Sequence, residues 1–92
     1  MEKDKFVQAS SDTKIDIGHR LRARRTQEGL SIRKLSLMSG VSRTILNEIE
    51  LGRSNATVDT LIKLSNALGI EPYMLFTDKR FPEDASSNAP RT

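Results

Sequence analysis

The sequence predicts an all-α fold, a compact bundle of five short helices around one small core. Apolar residues recur at three- and four-residue spacing through residues 15–76, the period of a half-buried helix. Most of these runs are preceded by Ser, Thr or Asp and followed by glycine, where helix caps and stops belong. With 36% apolar and 4% aromatic residues, the core has to be built from Leu, Ile, Val and Ala. A β-sandwich would call for more Val, Thr, Tyr and Phe in alternation.

Residues 1–14 are polar, with Phe6 and Val7 as the only anchors, and read as a flexible N-terminal arm. The first helix is expected to start at Asp16 as N-cap, to carry Ile17, Leu21 and Ala23, and to stop at Gly29. Ser31 caps a second helix with Ile32, Leu35 and Met38 on one face, and Ser42 caps a third with Ile45, Leu46 and Ile49. Between them Gly40 supplies the permissive backbone of a tight turn, so residues 31–51 read as a helix-turn-helix unit. After the polar loop GRSNAT (52–57), Thr57 or its neighbour caps a fourth helix. Its stripe is Val58, Leu61, Ile62, Leu64, Ala67 and Leu68, and it stops at Gly69. Pro72 then opens a short fifth helix or turn, YMLF. Residues 77–92, with two prolines and many small polar side chains, read as a disordered tail or linker, leaving 15–76 as the folded domain.

Formal charge is +3, and residues 14–76 hold ten basic side chains against six acidic, so the excess lies on the folded part. That balance suits a nucleic-acid partner without requiring one. The absence of cysteine removes disulfides and thiolate metal sites. His19, the single histidine, has no second ligand at metal spacing, and no phosphate loop, dinucleotide fingerprint or nucleophile–base set occurs. No enzymatic activity, cofactor or metal is therefore expected. Without an apolar run of membrane-spanning length or a signal segment, the reading is a soluble protein that stays in the cytoplasm of its cell.

Around the third helix, Ile45, Leu46 and Ile49 gather on one side, and Arg43, Thr44, Asn47, Glu48 and Leu51 on the other. A helix entering a major groove needs such hydrogen-bonding side chains, because base edges present donors and acceptors. Arg43 can pair with guanine, Asn47 with adenine, and Thr44 with a thymine methyl or a phosphate. Glu48 can accept from cytosine or repel a wrong register. A polar outer face is also what any surface helix shows, so it is the capped, hinged context that gives the face its meaning. Two charges interrupt apolar stripes: Arg25 continues Ile17 and Leu21, and Glu50 continues Leu46. Lone buried charges are costly, so a partly buried Arg25–Glu50 ion pair is expected to join the first and third helices. The alternative is that both side chains reach solvent separately.

The pattern LRARR..EGLSIRKLS...GVSRTIL..IE.GR followed by TVDTLIKLSNALGI.P..LF resembles the Cro/C1-type (XRE-like) helix-turn-helix family over about residues 17–76. The resemblance implies a lambda-repressor-like bundle of five helices. It also implies sequence-specific binding of double-stranded DNA, transcriptional regulation, and a homodimer on a palindromic operator. By position, Arg43, Thr44, Asn47 and Glu48 match the family's base-reading residues. Ser31, Ile32, Ser42, Arg53, Ser54 and Asn55 match its backbone contacts, and Arg25 and Glu50 its structural pair. Ile32 stands where phage repressors often carry Gln, so only its backbone N–H can serve phosphate there. Arg20 and Arg24, one helical turn apart, are further candidates for phosphate. The cluster Ile70, Tyr73, Met74, Leu75 and Phe76 either forms the dimer surface or closes the core. Leu37 and Met38 fall where polar residues are usual; they either cover a neighbour or form a patch for a protein partner. An antitoxin or adaptor built on the same fold is the alternative function.

Overall fold

Four α-helices and one 3-10 turn make up the computed structural model, which describes residues 2–77, with the side chains described from residue 8. They are α1 (Glu2–Gln27), α2 (Ile32–Ser39), α3 (Arg43–Glu50), α4 (Val58–Leu68) and the turn Pro72–Leu75. The expected fifth helix is thus a 3-10 turn; Pro72 opens it but it runs only four residues. The tail beyond Thr77 lies outside the described residues.

The caps explain the boundaries. Ser31 Oγ accepts from Lys34 N–H at 2.9 Å, Ser42 Oγ from Ile45 N–H at 3.1 Å, and Thr57 Oγ1 from Thr60 N–H at 3.1 Å. Each satisfies one of the donors a helix start leaves unpaired. At the other ends, Leu30 N–H bonds Arg25 C=O, Arg53 N–H bonds Glu48 C=O and Ile70 N–H bonds Ser65 C=O. These six-to-one closures over Gly29, Gly52 and Gly69 stop α1, α3 and α4.

The N-terminal arm is corrected by α1, which begins at Glu2 and not at Asp16. No proline or glycine precedes Gly18, so nothing halts helix propagation toward the N-terminus. Gln8 Nε2 donates to Asp12 Oδ1 at 3.0 Å, a supporting i,i+4 pair. Gln8 to Thr13 are exposed all round, and packing begins only at Lys14 and Ile17. Residues 8–13 are therefore helical but contribute nothing to the core.

Leu21, Leu35, Val41, Leu46, Ile49, Leu61, Leu64, Leu68 and Leu75 form that core. Burying each leucine contributes about 1.5–3 kcal/mol. The apolar stripes are narrower than their periodicity suggests. Met38, Ile45, Val58 and Ile62 are all exposed. Ser65 is fully buried and satisfied, its hydroxyl donating to Leu61 C=O at 2.7 Å. Gly18 marks the closest approach of α1 to α3. A Cβ there would overlap the carbonyl oxygen of Ile49 and lie 2.8 Å from that of Glu50. Only a residue without a side chain lets the two helices meet at this distance.

Candidate nucleic-acid interface

The turn between α2 and α3 sets the orientation of both helices. Gly40 closes α2 in the left-handed region, with φ of 78°. Ser39, one residue earlier, holds the turn from within. Its hydroxyl donates to Leu35 C=O at 2.7 Å and accepts from Val41 N–H at 3.1 Å. Val41 then drops into the core beside Leu35 and Leu46. The sequence signal for Ser39 is a small hydroxyl residue just ahead of the turn glycine, within the hinge Ser39-Gly40-Val41.

Arg25 locks the far end of α3. Its Nε and Nη2 donate to the two carboxylate oxygens of Glu50 at 2.6 and 2.9 Å, and Nη1 donates to Leu30 C=O at 2.7 Å. The side chains are 12% and 8% exposed, so solvent screens the pair little. The hydrogen bond to Glu50 holds the guanidinium pKa above its already high ordinary value, partly opposed by desolvation. The fork ties α1, the loop after it and α3 into one frame.

With its inner side fixed by Leu46, Ile49 and Glu50, α3 presents Arg43, Thr44 and Asn47 to solvent, while Glu48 is half-buried. No acidic residue lies in the first turn of α2 or α3. Ser31 and Ser42 are exposed, and each spends one lone pair of its hydroxyl on capping, leaving its proton to donate. Ile32 packs against the core, so its backbone N–H is the group offered at the start of α2. Beyond α3, Arg53 and Asn55 are exposed and Ser54 half-buried. Ser54 and Asn55 border an apolar hollow of about 280 Å³ with Ile49, Val58 and Phe76.

Other residues are placed elsewhere. Arg20 and Arg24 line a hollow of about 220 Å³ with Gln27 and Met74, and Arg24 Nη2 lies 3.9 Å from Met74 Sδ. Gly18 and Arg25 face α3, and Arg20 and Arg24 lie roughly 110–150° further round α1. The fold therefore sets both arginines beside the 3-10 turn and not beside α3. Leu75 is fully buried and closes the core, which removes it from any dimer surface. Ile70, Tyr73 and Met74 are half-buried, and Phe76 is exposed. Leu37 and Met38 stand out on α2, at 72% and 47% exposure. Ile45, expected inside, is exposed; it lies off the centre of the buried face, which Leu46 and Ile49 define.

A short capped helix, a glycine turn and a second capped helix with a free polar face define a helix-turn-helix protein. The matching family model, described as helix-turn-helix, covers residues 21–75, and the chain belongs to this family of non-enzymatic, DNA-binding transcriptional regulators. Among its relatives is the SPbeta prophage-derived uncharacterized HTH-type transcriptional regulator YonR of Bacillus subtilis. It is 34% identical over 77 residues, covering 82% of this chain and 71% of the relative. The uncharacterized HTH-type transcriptional regulator y4dJ of Sinorhizobium fredii is 36% identical over 61 residues, covering 66% and 79%. Of solved structures, the restriction-modification controller protein C.AhdI of Aeromonas hydrophila is similar with a TM-score of 0.67 and 40% identity. The match covers 68% of this chain and 96% of that one. Among the described residues, no helix is long and apolar enough to cross a membrane.

Proposed function

We propose that the protein is a sequence-specific repressor that binds a palindromic operator as a homodimer, with α3 in the major groove. One observation carries the reading: α3 is locked on its inner side by the core and the Arg25–Glu50 fork, and on its outer side Arg43, Thr44 and Asn47 are exposed. Arg43 and Asn47 take guanine and adenine edges, Thr44 a thymine methyl or phosphate, and Glu48 a cytosine amino group. Ser31, the Ile32 N–H, Ser42, Arg53, Ser54 and Asn55 grip the phosphates on either side. Arg20 and Arg24, beside the 3-10 turn, stay outside this grip. Exposed Phe76 at the edge of its apolar hollow supports a dimer contact there. Two half-sites about 34 Å apart follow if the dimer spans one DNA turn. The site of action is the cytoplasm or nucleoid. Titrating duplex DNA at rising salt tests the grip: affinity falls steeply, and Arg53→Ala lowers the slope by about one. Affinity indifferent to salt would remove phosphate contact from the account.

The exposure of Leu37 and Met38 favours a second reading, in which the same fold acts through a protein, as an antitoxin or adaptor does. On that reading Leu37→Ser abolishes complex formation and leaves DNA affinity unchanged.

A further inference from the structure

Ile45 is an apolar side chain on the working helix that the fold does not use. It is 43% exposed and does not belong to the core cluster or to the apolar residues packed against it. Its backbone is fixed, because its N–H bonds the Ser42 cap at 3.1 Å. Its β-branched side chain has little rotamer freedom on a helix. From the buried line through Leu46 and Ile49, Ile45 lies about 70° to one side and Arg43 about 90° to the other. The two residues are thus opposite flanks of one outward face, with Thr44 and Asn47 between them.

We propose that Ile45 is a specificity residue that contacts thymine C5-methyl groups in the operator. The inference rests on the reading of α3 as the groove helix. Flanks of a helix in the major groove face base edges, and the one apolar feature displayed there is the thymine methyl. The surrounding charge fits a polyanion: Arg43 and Arg53 are exposed, and the first turns of α2 and α3 hold no carboxylate. A half-site therefore combines a guanine read by Arg43 with a thymine read by Ile45 on the opposite flank.

The test uses a duplex that the protein itself recovers from a random pool. Each thymine is replaced singly by uracil, which removes the methyl and keeps the base pair. The parent should lose about fourfold in affinity at one or two positions per half-site, the effect of uncovering one methyl. Ile45→Ala, a surface change whose folding is checked by circular dichroism, should bind the parent duplex more weakly. It should also be insensitive to uracil at those same positions, whereas Thr44→Ser stays sensitive there. Indifference of the parent to every replacement overturns the proposal and leaves groove reading standing. Full sensitivity in Ile45→Ala also overturns it, because another side chain then covers the methyl. Failure to enrich any duplex overturns the groove reading itself, and this inference with it.

Discussion

Replacing Glu50 by glutamine keeps the shape of the side chain and removes its charge. In the parent, both carboxylate oxygens accept from Arg25, at 2.6 and 2.9 Å, and the glutamate side chain is 8% exposed. Glutamine offers one acceptor and turns an N–H₂ group against a guanidinium that also only donates. Removing one partner of a buried pair costs about 3–5 kcal/mol. Arg25 keeps its bond to Leu30 C=O and some contact with water, so the low end, about 3 kcal/mol, applies. For a domain of this size that lowers Tm by roughly 12–24 °C. Raising the folded pKa of Arg25 adds stability that is complete below the ordinary arginine range. That stability is lost only as pH climbs through the still higher folded value, so melting at neutral pH reads the full effect. The double variant Arg25→Met/Glu50→Leu should recover much of the loss, short of the Leu30 carbonyl that Arg25 no longer satisfies. The exposed Asp59–Lys63 pair serves as a control, since Asp59→Asn should cost under about 1 kcal/mol. If Glu50→Gln melts with the parent, the fork does not hold α3, and the rigid frame inferred for that helix is wrong.

Gly18→Ala should destabilise by about 1–2 kcal/mol in denaturant titration, although alanine is the better helix former, because the new methyl meets α3 backbone that cannot yield. Ser39→Ala should cost about 1–2 kcal/mol by leaving the Val41 N–H without its partner, and DNA affinity should fall as the inter-helix turn loosens. Arg43→Ala should lose about 1–3 kcal/mol of discrimination at one base pair, and Arg53→Ala should weaken all sequences alike. Equal losses for Arg43→Ala on selected and random duplexes would remove its reading role. Phe76→Ser should shift sedimentation toward monomer while the melting curve stays cooperative; an unchanged assembly state would move the dimer contact elsewhere.

Helix order, the three hydroxyl caps and the glycine stops were legible because each is a local rule acting on neighbouring residues. The Arg25–Glu50 fork was legible for a different reason: charges interrupting two apolar stripes have to meet or escape, and meeting satisfies both. The start of α1 was not legible. A polar segment with no glycine or proline carries no signal that separates an arm from a helix. Ile45 was misplaced because a wheel averages over a face, whereas burial depends on the neighbour opposite, which one helix alone does not reveal. Leu75 and Phe76 show the same limit, adjacent residues of which one closes the core and the other faces out. The role of Gly18 carries no local signal, since it depends on a contact some thirty positions away in sequence.

On the proposed function, α3 reads bases for a two-fold symmetric protein. Selection from a random duplex pool at near-physiological salt, with sequencing of the bound fraction, tests it most directly. The expected result is an enriched inverted repeat with half-site centres about one helical turn apart, and loss of enrichment at one base pair per half-site for Arg43→Ala. A folded protein that enriches no sequence would contradict it and turn attention to the exposed Leu37 and Met38 of α2.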